Sequence, residues 1–289
     1  MRPFLEVYLE CINGQTDQDF ELVVVNDAFP ESLNPWFDLI HVVCHQVDSF
    51  SSPQQNRLVG LEWCRRQGFD LVICSDSDET MYPDRVERVK QYFSEKPEQD
   101  ILFINSVASI GGSYFDLDYK SVLCLNDVLD FNVLGYGAMN LRASLIPFLL
   151  SLANERVIAF DWWIGLQYLL HNENVEFLSE IRNHYTLHPD NFVGPVLELT
   201  VDRIAQSIKV KHNMFAEMHA SCVEKGKTTE ATLFFDKRRE IEEVESYIKL
   251  HSMQLYFERV KNYLDQREKI FWWQEAVSLP VLKVDSASF

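Results

Sequence analysis

Two carboxylates one residue apart, Asp76 and Asp78, follow the apolar run Leu71-Val72-Ile73-Cys74 and precede Glu79-Thr80-Met81-Tyr82-Pro83-Asp84. The run reads as a buried parallel strand, so both acids are expected at its C-terminal end, where open α/β sheets bind ligands. On a turn, two hard oxygen donors so spaced can approach one divalent cation and leave its other positions to water and phosphate oxygens. The same residues also suit a solvated acidic turn ahead of a helix starting near Pro83. A second acid, Asp161, stands in Phe160-Asp161-Trp162-Trp163 at the head of a helical pattern. It suits a general base whose pKa is raised by aromatic neighbours, or a helix N-cap, and the two roles are compatible.

The elements around these residues follow from periodicity. Phe4 to Asn13 reads as a helix, Glu21 to Asn26 as a strand ending at Asp27, and Leu39 to Cys44 as another strand. Gln54 to Gln67 reads as a helix leading into the Asp76 strand, and Pro83 to Phe93 as a helix. Ile101 to Val107 and Tyr114 to Tyr119 read as strands, and Val175 to Leu178 and Asn183 to Leu187 as two more. Between them, Gly135-Tyr136-Gly137 marks a turn or a close backbone approach, followed by helices from Ala143 to Leu152 and around Trp162 to His171. The alternation implies an α/β fold with a mostly parallel sheet flanked by helices. Beyond Pro195 strands disappear, and Ile241, Val244, Ile248, Leu255, Tyr256, Val260 and Tyr263 recur at helical spacing. The expected division is therefore 1–194 as the sheet domain and 195–289 as a helical C-terminal extension, with Phe271-Trp272-Trp273 docked on its own core.

Composition narrows the function classes. The 289 residues are 47% hydrophobic and 24% charged, enough for a sizeable core. Lys and Arg number 26 against 44 Asp and Glu, a formal charge of −18 with no long basic run, which argues against nucleic acid as a partner. Six cysteines without paired spacing suggest reduced thiols and a cytoplasmic setting. The longest apolar stretches are too short to span a bilayer, leaving peripheral membrane association open.

Five segments, in order, resemble the GT-A-fold glycosyltransferases of family 2, especially the rhamnosyltransferase-like branch. They are Asp19 through Asp27, Gly60 through Asp78, Gly135-Tyr136-Gly137-Ala138-Met139 with Arg142, Phe160 through Trp163, and His188-Pro189-Asp190-Asn191-Phe192-Val193-Gly194. The resemblance implies a Rossmann-like domain over roughly residues 4–195 that binds a nucleotide-sugar donor and a glycan or lipid-linked acceptor. It places Asp27 near the donor base and Asp76 and Asp78 at the donor diphosphate and its Mn²⁺ or Mg²⁺. It places Gly135, Tyr136 and Gly137 on the acceptor side and Asp161 as catalytic base of an inverting transfer. His188 could complete the metal shell or be a packed loop residue; Arg57 could reach the diphosphate or lie on a solvated helix face. Trp162 and Trp163 could stack on a sugar, with core packing the default for adjacent aromatics.

The family begins with an apolar strand, whereas here Met1 is followed at once by the helix. The expectation is a domain lacking that strand, through a start placed too late or a partly lost nucleotide pocket. Surface polysaccharide assembly is what the resemblance suggests. Two rival readings are a catalytically weakened glycosyltransferase-like binding or scaffolding protein, and a haloacid-dehalogenase-type phosphatase using Asp76-Ser77-Asp78-Glu79-Thr80. The phosphatase would need a second acidic pair at a later strand end, which the sequence does not offer.

Overall fold

The computed structural model describes residues 2–29, 32–49, 52–110, 113–116, 119–172, 174–186, 199–267 and 271–283. The chain divides into two compact units. The first comprises Met1–Leu123, Leu134–Ala153 and Asn174–Thr186; the second comprises Cys124–Val133, Asn154–Glu173 and Leu187–Phe289.

The elements in chain order are α1 (Arg2–Asn13), β1 (Glu21–Asn26), α2 (Asn34–Phe37), β2 (Val43–Asp48), α3 (Pro53–Gln67), β3 (Leu71–Ile73), β4 (Glu79–Met81) and α4 (Arg85–Glu95). They continue with β5 (Ile101–Ile110), β6 (Ser113–Asp116), β7 (Val122–Leu123), β8 (Met139–Arg142), α5 (Ile146–Ser151), α6 (Phe160–His171) and β9 (Val175–Thr186). Three long C-terminal helices follow, α7 (Val201–Glu224), α8 (Thr228–Leu250) and α9 (Met253–Leu264).

In the first unit, β1 and β2 pair in parallel from Glu21↔Val43 to Asn26↔Asp48. A seven-stranded sheet runs β3-β8-β5-β9-β4, with β6 on β5 and β7 on β9. Its longest pairing, β5 with β9, is parallel, and the shorter strands join antiparallel. The architecture is the expected α/β class, GT-A-like, with helices after the sheet region. The helix that leads into β3 is bounded by its own chemistry. Ser52 Oγ accepts from Gln55 N, Pro53 opens α3, and Gly68 at φ 84° closes it. One face of α1, Tyr8, Leu9 and Ile12, packs with Leu22 and Met81. Val89 and Phe93 of α4 pack with Leu102, Ile104 and Ile181 of the sheet.

Several boundaries differ from those expected. The strand expected from Leu39 begins at Val43, because Ile40 and Val42 pack in turns against the α1 cluster. The segments around Val175 and Asn183 form a single strand, β9. Its register on β5 jumps from Ile104↔Leu178 to Asn105↔Arg182, so residues 179–181 bulge out, and the polar Ser179-Glu180 falls there rather than at a strand end. The short strands β4, β7 and β8 are additions to the expected elements.

The second unit contains α6, which precedes β9 in the chain, and α7 to α9, which follow it. Thr200 caps α7 and Ser252 caps α9 through their side-chain oxygens. The turn between α7 and α8 carries Gly226 at φ 68°, a left-handed conformation that costs glycine little. The buried face of α9 is Tyr256, Val260 and Leu264; the first two are as expected, whereas the expected Leu255 is 42% exposed and Leu264 takes the place of Tyr263. The aromatic tail does dock on its own core. Phe271 stacks on Phe131 at 4.9 Å, and Trp272 and Trp273 are buried.

Candidate active site

The chain leaves β3 at Ile73, and Cys74 N still donates to Met139 O at 3.0 Å, so the strand edge is held one residue further. Glu79 N donates to Asp76 O at 3.0 Å and closes a turn with Ser77 and Asp78 at its corner. Asp76 and Asp78 therefore stand beyond the C-terminal end of a strand, on a turn, as expected, and are half-buried. The strand itself is not the buried parallel one expected, since β3 is a partly buried edge strand paired antiparallel with β8.

α3 brings Arg57 to this turn. Its Nη2 lies 3.3 Å from Asp76 Oδ2 and 3.4 Å from Oδ1. Its guanidinium carbon lies 4.3 Å from the centre of the Tyr136 ring. The Tyr136 hydroxyl in turn shares a hydrogen bond with the Cys74 thiol. Burial pushes the Cys74 thiol up to about 12 and the Tyr136 phenol well above its ordinary value, so both stay protonated at neutral pH. Tyr8 reaches the same loop through a hydrogen bond to the Ser75 side chain, its phenol also pushed up to about 12 by burial.

Beneath the turn lies a buried polar layer that the sequence reasoning missed. Glu79 is 5% exposed, and burial followed by the neighbouring Asp76 raises its carboxyl well above the usual range, with Arg85 acting in the opposite sense. Asn183 Nδ2 donates to Glu79 Oε2. Arg85, fully buried, donates from Nη2 to Cys74 O, Gly137 O and Asn140 Oδ1. The alternation along β4, with Glu79 and Met81 inward, was a usable signal for Glu79. Nothing in the sequence marks Arg85 as buried, since an arginine opening an amphipathic helix is ordinarily solvated.

The remaining predicted residues are distributed as follows. Asp27 is exposed just beyond β1, in a turn where Ala28 has φ 56° and Asn26 Oδ1 accepts from Phe29 N. A Cβ added at Gly135 would meet open space, whereas one at Gly137 would overlap the Glu79 carboxylate, so the close approach at this turn comes from within the protein. Asp161, Trp162 and Trp163 belong to the second unit. The N-cap of α6 is Ala159, and Asp161 sits in the first helical turn with Oδ1 accepting from Trp162 N at 2.8 Å, a corrected version of the capping role. Trp162 and Trp163 are 0% and 4% exposed; Trp162 donates Nε1 to Val128 O and lies edge-on to Phe215, as core side chains do. His188 lies outside the described residues.

Among the described residues no cluster of three or more His, Cys, Asp or Glu side chains is placed to hold a metal ion. The donor set that Asp76 and Asp78 offer is two hard carboxylates, which fits Mg²⁺ or Mn²⁺ drawing its other ligands from water and phosphate. All six cysteines are unpaired, and no helix among the described residues is long and apolar enough to cross a membrane.

Residues 2–132 match the family model described as Glycosyl transferase family 2. No curated protein sequence matches the chain. Among solved structures it is similar to S. aureus TarS residues 1–349 in complex with UDP, at 17% identity and TM-score 0.53, covering 75% of this chain and 62% of that one. The chain thus spans less than two thirds of that fragment. With the same fragment in complex with UDP-GlcNAc the identity is 16% and the TM-score 0.56, over 81% of this chain and 68% of that one. With the fragment alone they are 15% and 0.53, over 86% and 88%. At these identities the likeness is one of fold. The matched stretch, 2 to 132, carries Arg57, Asp76 and Asp78 and covers less than half of the chain, so the chain is similar to glycosyl transferase family 2 over this part alone.

Proposed function

We propose that this protein is an inverting glycosyltransferase that moves a sugar from a nucleotide-sugar donor to a hydroxyl of a glycan or lipid-linked acceptor. The observation that carries the proposal is the convergence of Arg57, Tyr136 and Asp76 at the turn that also bears Asp78. Departure of a nucleoside diphosphate concentrates negative charge, and such a site has cationic and metal-binding groups to meet it. A divalent cation, Mn²⁺ or Mg²⁺, would supply Lewis-acid neutralisation of the leaving diphosphate when held by Asp78 and Asp76. Arg57 adds a guanidinium whose fork suits phosphate oxygens, and Tyr136 holds its plane.

Asp27 is the proposed contact to the donor base and His188 a further ligand. Asp161 is the proposed general base, taking the proton of the acceptor hydroxyl as the new bond forms. Attack from the face opposite the leaving group inverts the anomeric carbon. The TarS fragments were solved with UDP and UDP-GlcNAc, which makes a uridine diphosphate donor the first to try here. Surface polysaccharide assembly, with a hexosyl or rhamnosyl group transferred, follows from the family resemblance.

The test is calorimetric titration of UDP, dTDP and GDP into the protein, with and without Mn²⁺, beside Asp78→Ala. Metal-dependent binding of one nucleotide, lost in the variant, is the expected outcome. Binding by none of them removes the donor site from the proposal.

A further inference from the structure

The loop that carries Asp76 and Asp78 is held at both ends, and both ties lead to one backbone oxygen. At its start, Arg85 Nη2 donates to Cys74 O at 2.8 Å and to Gly137 O at 2.9 Å. At its finish, Asn183 Nδ2 donates to the Glu79 carboxylate and, at 3.3 Å, to the same Gly137 O. Each tether is itself fixed. Asn140, whose Oδ1 accepts from Arg85, donates to Ala138 O and Leu102 O, and Ser106 Oγ donates to Asn183 Oδ1 at 2.7 Å. Arg85, Asn140 and Asn183 are all fully buried. Gly137 directly follows Tyr136, so the acidic turn and the ring that carries Arg57 are locked to one another through this layer.

Burying a guanidinium is unfavourable, and apolar side chains of similar volume commonly serve a core as well. Arg85 also leaves Nε and Nη1 without hydrogen-bond partners among the described residues. Cohesion alone is a poor reason for such a residue; joining the end of β3 at Cys74 to two acceptors on the 137–140 stretch with one planar group is a better one. We propose that Arg85 is a positioning residue for donor binding, presenting Asp76 and Asp78 in register with Arg57 and Tyr136. The inference rests on the donor-site reading above.

Arg85→Lys tests it, because an ammonium retains the charge and cannot reach all three acceptors in one geometry. The readouts are the melting temperature, the Kd for the nucleotide that the wild type binds, and the Mn²⁺ concentration giving half-saturation, the latter two at a temperature where the variant is fully folded. The expected result is a nucleotide Kd weakened at least tenfold with a parallel rise in the Mn²⁺ requirement. A lowered melting temperature with unchanged Kd and Mn²⁺ requirement would reduce Arg85 to a structural residue and overturn the inference. Should Arg85→Lys not fold, Asn183→Ala cuts the other tether, and unchanged binding in that variant likewise overturns it. If the wild type binds no nucleotide, the donor-site reading fails first and this inference falls with it.

Discussion

Arg57 holds its guanidinium carbon 4.3 Å from the centre of the Tyr136 ring while its Nη2 lies 3.3 Å from Asp76 Oδ2. One planar cation thereby joins α3, the turn after β3 and the turn before β8. A helix-borne arginine that stacks on an aromatic face has its plane set before any ligand arrives, and that preorganisation is worth more to binding than to folding.

Arg57→Lys should separate the two contributions. The Arg57 and Asp76 side chains are 26% and 35% exposed, so solvent screens the pair and its share of stability is at most ~1 kcal/mol. Stacking and fork geometry are lost while the charge remains. Nucleotide affinity should fall about tenfold, or ~1.4 kcal/mol, with the urea midpoint nearly unchanged. Calorimetry that finds equal affinity in the two proteins would remove Arg57 from the site.

How much of this could be read from the sequence depends on whether the signal was local. The Asp76-Ser77-Asp78 turn was legible because an apolar run and two acids are contiguous. The caps of α3 were legible because Ser52, Pro53 and Gly68 each have a local conformational reason. The pairing of β9 was not, since the bulge at residues 179–181 is enforced by partners on β5 far away in sequence. Arg85 shows the same limit more sharply. Its burial is created by Cys74, Gly137 and Asn140, and no feature of Asp84-Arg85-Val86 announces them. On α9 the expected Tyr256 and Val260 are buried, but adjacent Leu255 and Tyr256 both satisfy helical spacing, and only packing leaves Leu255 exposed.

The two glycines flanking Tyr136 should respond differently to the same change. At Gly137 an added Cβ overlaps the Glu79 carboxylate, which is itself held by Asn183 and cannot retreat freely. At Gly135 nothing lies within 4 Å of the added carbon, and φ is −62°, acceptable to alanine. Gly137→Ala should cost about 1–3 kcal/mol as overpacking, and Gly135→Ala should be neutral or slightly stabilising. Urea unfolding of both variants checks the contrast; equal midpoints would contradict the packing described around Glu79.

In the second unit, the Tyr256 hydroxyl donates to Val277 O at 2.6 Å and accepts from Val277 N at 2.9 Å. Tyr256 is fully buried, so Tyr256→Phe removes the partner that both backbone groups of Val277 have among the described residues. The expected cost is about 1–3 kcal/mol. It should be felt locally, as faster proteolysis of the segment 271–279 before global unfolding. Cleavage at the wild-type rate would mean that the hydroxyl does not secure this segment.

Lys211 yields a pH prediction of defined sign. It is 3% exposed in α7, and Nζ donates to Ala276 O at 2.7 Å. Burial lowers its pKa from 10.5 to about 8, with Asp130, Glu275 and Glu240 acting to raise it and Lys237 to lower it. Below about 8 the amine is charged in both folded and unfolded chains, so the full burial penalty is present. Between about 8 and 10.5 the folded amine is neutral while the unfolded one keeps its proton, and stability rises with pH. The whole interval corresponds to about 3 kcal/mol, an order of magnitude for a buried group. Buried thiols such as Cys64 and Cys74, whose pKa values are raised, act in the opposite direction over the same range. The comparison must therefore be between wild type and Lys211→Met, in which the thiol contributions cancel. From about pH 7.5 to 9.5 the wild type should gain roughly 2 kcal/mol over the variant in urea unfolding. A difference that does not change with pH would mean that Lys211 keeps an ordinary pKa and that water reaches its ammonium.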